Sequence, residues 1–285
     1  MISTSFDYMR ATSLREALGI LAQGGGTKVI AGGHSLLPVM KFRLAQPARL
    51  LDIAGLDELR GVEEYRKGAR IGATTTYRDL LESDLLRERF PIITECTEDI
   101  GDWQVRNRGT IGGSLAHADP ASDMPSVMLA LDATFNVRSK RGRRAIKARE
   151  FFQSPFVTAL AEDELLLDIL LPPLPKGAGT AYLSQAQAAS GYALAGAATV
   201  VARTRKTVSH AVIALTGVGE ISQLVAAADQ LVGTKAEPDV LQRVAAASVD
   251  GIEIQGDIHA PAPYRKHLAQ VIVRRALDRA LERAK

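Results

Sequence analysis

The sequence predicts an α+β chain in three successive regions, and three observations carry that prediction. A strand, a glycine pair and a helix follow one another near the start; hairpin patterns mix with short helices through the middle; and after Pro172-Pro173 two or three long strand patterns precede the helical ones. Strands grouped ahead of helices, rather than alternating with them, indicate α+β organisation. With 285 residues and 46% apolar content the chain can bury a substantial core divided among two or three subdomains.

In the first region, Ser13-Leu14-Arg15-Glu16 has capping-box spacing and predicts a helix to about Ala22, with Leu14, Ala17, Leu18 and Leu21 on one face. Thr27 to Ala31 is β-branched and apolar and reads as a buried strand; Gly32-Gly33 turns the chain, and Leu36 to Phe42 continues as a helix. Leu50 to Ile53 reads as a further strand, so residues 1–54 are expected to form a compact βαβ-type module.

The second region, residues 55–174, opens with a hairpin of Gly61–Tyr65 and Ala69–Ala73 across Arg66-Lys67-Gly68, and Thr76 begins a short helix. Cys96 lies among Ile92, Ile93 and Thr97 and reads as a small buried helix residue. Ser122 or Asp123 is placed to cap a helix over Ser126 to Leu131. Thr134–Ser139 and Arg143–Ala148 make another hairpin, whose basic turn reads as a solvated loop or as a docking surface for a partner, and Glu164 to Leu171 a strand that ends at the double proline. The third region, residues 178–285, is expected to hold strands at Thr180–Leu183, Tyr192–Ala202 and Lys206–Leu215, then helices at Ile221–Leu231, Pro238–Ser248 and Pro263–Lys285. Gly217-Val218-Gly219 reads as a structural turn.

Ala31-Gly32-Gly33-His34-Ser35 and Thr110-Ile111-Gly112-Gly113-Ser114, eighty positions apart, share one grammar. Residues without a Cβ let successive amides converge on anionic oxygens, and the neighbouring hydroxyls and imidazole add donors. Either cluster alone reads as a tight turn; two together suggest a long ligand with a central diphosphate. Neither the three-glycine dinucleotide fingerprint nor a P-loop is present. Asp123 stands where it could accept hydrogen bonds from a ribose.

Several classes are excluded. A formal charge of +3 does not call for nucleic acid, no apolar run is long enough for a membrane span, and Asp7 and Arg10 interrupt the start before a leader-like run develops, so the expected compartment is the cytoplasm. One cysteine excludes an internal disulfide and an iron–sulfur cluster built by this chain alone, and the five histidines lack metal-ligand spacing.

Ala31 to Pro38, Arg106 to Ser114 with Ala118-Asp119-Pro120 and Asp123, and Tyr264-Arg265 opening the last helix occur in an order that resembles the FAD-binding medium subunit of molybdenum hydroxylases, nearest the carbon monoxide dehydrogenase type. The resemblance covers nearly the whole chain. It implies a two-subdomain FAD-binding fold of the vanillyl-alcohol-oxidase (PCMH) type plus a C-terminal α+β subdomain. It also implies a cofactor site in which Ala31, Gly32, Gly33, His34, Ser35 and Leu36, with Thr110, Ile111, Gly112, Gly113 and Ser114, hold the diphosphate and ribityl chain. Asp123 would contact the adenosine side, and Ile100, Leu166 and Tyr192 would stand around the isoalloxazine ring.

Under this resemblance the chain is an oxidoreductase subunit with no catalytic acid or base of its own. It would take electrons from [2Fe-2S] clusters in a small subunit, the substrate being oxidised at a molybdenum cofactor in a large subunit, within a dimer of heterotrimers. Two other readings are open at this point: a self-sufficient flavin-dependent oxidase or dehydrogenase on the same fold, and a flavin-free assembly or regulatory protein. Two positions and one segment depart from the family pattern: Ser114 replaces a frequent Asn, Gly191 replaces an acidic residue, and Ser184 to Ser190 lacks a Lys and Arg pair.

Overall fold

The computed structural model describes residues 2–285. Near the N-terminus, strands Asp7–Arg10, Arg49–Asp52 and Thr27–Ile30 lie side by side in that order as a parallel three-stranded sheet. Helix Leu14–Leu21 buries Ala17, Leu18 and Leu21 in one cluster with Leu51 and Ile53. Ser13 caps it by accepting from the Glu16 amide, but the Glu16 carboxylate reaches Thr12, bonding its amide at 2.8 Å and its hydroxyl at 2.6 Å, so the capping box is only half formed. The edge strand Asp7–Arg10 is invisible to pattern reading because all four of its residues are exposed.

The central sheet has five antiparallel strands, ordered Val62–Tyr65, Gly68–Gly72, Leu165–Leu171, Thr134–Arg138 and Arg143–Lys147. The first hairpin turns on Arg66 and Lys67, at φ of 46° and 65°, the left-handed pair that suits the twist of a two-residue hairpin. Leu165–Leu171 is apolar at every position but Asp168 because both its faces are covered: Leu165 and Leu167 pack into the N-terminal cluster, while Leu166, Ile169 and Leu171 pack into the central core. The register shift between Leu166 and Asp168 accompanies this division. The basic turn is closed by Ser139 donating to Gly142, and Arg141 and Arg144 pair with Asp163 and Glu164.

Seven short helices accompany this sheet, among them Tyr77–Glu82, with a complete Thr76/Asp79 capping box, and Pro91–Asp99, which buries Cys96. Helix Met124–Ala130 follows Asp123, yet neither Ser122 nor Asp123 caps it with a side chain; the Asp123 side chain is turned into the protein instead, and Ser126 donates to the Asp123 carbonyl.

The C-terminal region is a four-stranded antiparallel sheet of Gly179–Ala186, Ala193–Thr204, Thr207–Thr216 and Gln223–Leu224. Helices Pro238–Ala247 and Ala262–Arg283 share its buried cluster. The helix expected at Ile221–Leu231 is not there. Gln223 and Leu224 pair with Leu215 and Ala214 as a short strand, and a 3₁₀ turn over Ala226–Leu231 follows; sheet pairing outweighs the local helical pattern. Gly217 is a structural turn, at φ of 76°, with its amide bonded to the Pro120 carbonyl.

Candidate functional site

A cavity of about 1080 Å³ runs between the N-terminal sheet and the central region, with one wall closed by the loop before strand Ala193–Thr204. It is lined by Ala31, Gly32, Gly33, His34, Ser35, Leu36, Ile100, Thr110, Gly112, Gly113, Ser114, Asp123, Leu166 and Tyr192. Of the expected site residues only Ile111 is absent: its side chain is fully buried in the central core and its amide is spent on the Thr75 carbonyl.

The two glycine segments differ in what they present. At the end of strand Thr27–Ile30, the amides of Gly32, Gly33, His34, Ser35 and Leu36 find no acceptor within the protein among the described residues. Gly33 has φ of 78°, which favours a residue without a Cβ, and the turn directs the chain into helix Leu36–Lys41. This is a run of fixed dipoles on the cavity wall, suited to an anion.

The second segment is not a matching cradle. Gly112 donates to the Ala73 carbonyl, Gly113 to the Thr110 hydroxyl and Ser114 to the Thr110 carbonyl, because Thr110 caps helix Ile111–His117 and the segment lies on the central sheet. A Cβ on Gly112 would sit 2.5 Å from the Ala73 carbonyl oxygen, whereas one on Gly113 would meet only the Thr110 hydroxyl, at 2.8 Å. Gly112 therefore serves packing, and Gly113 offers a bare wall.

The remaining residues come from separate elements. Leu166 is delivered by the central strand. Ile100 follows helix Pro91–Asp99, where Arg106 gathers three carbonyls, those of Glu98, Ile100 and Gly101, at 3.2, 3.0 and 2.9 Å. Tyr192 precedes the second strand of the C-terminal sheet and is 41% exposed; burial of its ring raises the phenol's pKa while the nearby Ser35 hydroxyl opposes that. Asp123 is 6% exposed, and its carboxylate accepts from the Tyr182 hydroxyl across the two regions. Burial pushes its pKa up to about 7, with Asp99 and Asp119 adding to the rise and the Tyr182 hydrogen bond opposing it.

Other lining residues were not singled out from the sequence. Gly24, Gly25 and Gly26, all at positive φ, edge the cavity, as do Lys28, Thr74, His117 and Phe156. The glycine triplet was a visible signal; Lys28 was not, since its position depends on which face of its strand looks into the cavity. The His117 and Phe156 rings pack 5.1 Å apart, and burial lowers the His117 pKa. The hydroxyl of Thr74 is buried with no partner among the described residues. Burial drives the Cys96 thiol well above its usual range, so no reactive thiolate adjoins the site. No group of three His, Cys, Asp or Glu side chains among the described residues is arranged to hold a metal ion.

Residues 4–174 match the family model for the FAD binding domain in molybdopterin dehydrogenase, and residues 181–280 match that for the CO dehydrogenase flavoprotein C-terminal domain. The chain belongs to the FAD-binding medium subunits of molybdenum hydroxylases. This medium subunit is 38% identical to the carbon monoxide dehydrogenase medium chain of Hydrogenophaga pseudoflava over 99% of both chains. It is 36% identical to the nicotine 6-hydroxylase medium subunit of Paenarthrobacter nicotinovorans over 96% of both. The solved carbon monoxide dehydrogenase of H. pseudoflava contains a chain that superposes with a TM-score of 0.97 at 39% identity, covering 100% of each. The fold is thus the PCMH-type FAD-binding domain followed by the flavoprotein C-terminal domain, and the medium subunit is part of an oxidoreductase. No helix among the described residues is long and apolar enough to cross a membrane.

Proposed function

We propose that this medium subunit holds FAD along the cavity and passes electrons from [2Fe-2S] clusters of a small partner subunit to an external acceptor, substrate being oxidised at the molybdenum cofactor of a large one. The observation that carries the cofactor assignment is the run of five unpartnered amides from Gly32 to Leu36 on the wall of a dinucleotide-sized cavity. Bound there, FAD supplies the electron-carrying chemistry, and the protein supplies binding, orientation and electrostatics.

The amides take the diphosphate, and Lys28 adds a positive charge on the same side of the cavity. Gly113 admits the ligand close to the main chain, and Ser114, whose hydroxyl lies 2.8 Å from that of Ser122, offers it a hydroxyl. Ile100, Leu166 and Tyr192 give apolar and aromatic faces for planar rings and keep water from them. Asp123 accepts from ligand hydroxyls. No side chain is assigned an acid or base role.

The relatives named above are medium subunits of enzymes named for chemically unrelated substrates, carbon monoxide and nicotine, while sharing similar identity with this chain. That contrast supports the reading that substrate choice lies in the large subunit. The assembly is read as a dimer of heterotrimers in the cytoplasm.

The test is purification of the full chain, removal of any flavin, and titration with FAD followed by absorbance and fluorescence. One FAD per chain is expected, and Gly33→Val, which places a branched side chain at positive φ beside the amides, is expected to leave the site empty. A chain that takes no FAD, or a Gly33→Val variant that retains a full equivalent, contradicts the assignment. Co-purification with iron–sulfur and molybdenum subunits tests the electron path, and substrate turnover by the isolated chain would favour a self-sufficient flavoenzyme.

A further inference from the structure

We propose that Tyr182, from the C-terminal sheet, is a positioning residue of the cofactor site: its hydroxyl holds the Asp123 carboxylate in the cavity wall as an acceptor for ligand hydroxyls. The inference rests on the reading that the cavity holds FAD.

Asp123 lines the cavity yet is nearly buried, and no lysine or arginine forms a salt bridge with it among the described residues. One carboxylate oxygen accepts from Tyr182, a fully enclosed side chain in a different sheet and a different family domain. Apart from its own amide, no other group of the protein among the described residues donates to the carboxylate, which leaves acceptor capacity for a ligand. The main chain beside it is held from the same direction. Thr216 donates its hydroxyl to the carbonyls of Pro120 and Ser122, at 3.1 and 2.6 Å, and the Gly217 amide donates to Pro120 at 3.0 Å. The C-terminal region thus fixes both the backbone and one oxygen of a carboxylate whose remaining acceptor capacity serves the cavity.

The surroundings make the charge on that carboxylate conditional. The groups that face it are Cys96 and Asp99 from helix Pro91–Asp99, Asp119 from its own loop, Tyr77, Tyr182 and Tyr192. None is a cation. With the carboxyl poised near neutrality, a ligand hydroxyl that donates to it favours the ionised form. Binding therefore releases a proton at low pH. Affinity rises by up to about tenfold per pH unit below the Asp123 pKa and levels off above it.

The experiment measures FAD affinity of the flavin-stripped full chain from pH 5.5 to 8.5, with calorimetry in buffers of different ionisation enthalpy to count protons. The wild type is expected to release close to one proton per FAD at pH 6 and to show an inflection near pH 7. Tyr182→Phe keeps the ring and removes the donor, so the inflection should move upward and affinity at pH 7 should fall about tenfold, recovering at higher pH. Asp123→Asn should flatten the profile. A merely structural Tyr182 would lower affinity equally at every pH. An unmoved inflection in Tyr182→Phe, or FAD binding by the wild type without proton release, overturns this inference alone. A wild type that binds no FAD at any pH overturns the underlying reading and the inference with it.

Discussion

Gly32 lies flat against the main chain of Arg108: a Cβ on Gly32 would stand 2.3 Å from the Arg108 carbonyl oxygen and 2.9 Å from the Gly109 Cα. The two glycine motifs, eighty positions apart in sequence, therefore meet through their flanks. The first motif needs its glycines for two reasons, since Gly33 supplies the turn and Gly32 the contact.

Gly32→Ala tests that contact. The neighbour is backbone and cannot swing aside, so the added methyl group must push the segments apart, at a cost of about 1–3 kcal/mol as for other overpacked sites. Urea denaturation should show the loss, and FAD affinity should fall with it because the free amides move with Gly32. Unchanged stability and affinity would mean that the segments are not in contact in solution.

Gly112 and Gly113 are expected to separate folding from binding. Gly112→Ala drives a methyl group into Ala73 and should lower the melting temperature whether or not FAD is present. Gly113→Ala meets only a hydroxyl, so it should leave the apo protein close to wild-type stability while weakening FAD binding. Equal melting temperatures for the two apo variants would refute this division.

Asp123 makes a pH prediction for the protein without cofactor. Its pKa is raised from 3.8 to about 7, so between these values the folded chain holds a proton that the unfolded chain has lost. Stability from this group is complete below the unfolded value and declines as pH rises toward the folded one, by an amount on the order of a few kcal/mol. Comparing urea midpoints of wild type and Asp123→Asn at pH 5 and 7.5 checks the sign: the wild type should lose more stability on going up in pH.

Arg265 is the buried cation of the C-terminal region. It donates to the carbonyls of Leu194 and Gly217, both at 2.7 Å, and to Asp257 at 2.8 Å. Arg265→Met fills similar length but leaves two carbonyls without their donor, and a loss of about 2–5 kcal/mol is expected in denaturant unfolding. Because Leu194 and Gly217 flank the bonds that Ala193 and Gly217 make to residues 120–121, FAD affinity should weaken as well. A variant as stable as the wild type would show that the carbonyls find other donors.

Much of the fold was legible because it rests on local signals. Hairpin turns, the Thr76/Asp79 capping box and the apolar run at Leu165–Leu171 each leave a mark within a few residues. What was missed had no such mark. Strand Asp7–Arg10 is held by pairing with Arg49–Asp52 rather than by burial, and Gln223–Leu224 is a strand because Leu215 and Ala214 offer it an edge.

The site divides along the same line. The sequence by itself determined that two glycine segments, Asp123 and a family pattern, taken in their order along the chain, point to a dinucleotide, since residues lacking a Cβ let a ligand approach the main chain. Only the tertiary structure decided that the first segment alone keeps its amides free while the second spends them on Ala73, Thr75 and Thr110. It also decided that Asp123, legible as a helix cap, is instead held from the C-terminal sheet by Tyr182. Hydrogen-bond partners and burial are set by which distant segments meet, and no local pattern encodes the oxygen that a given amide or hydroxyl will find.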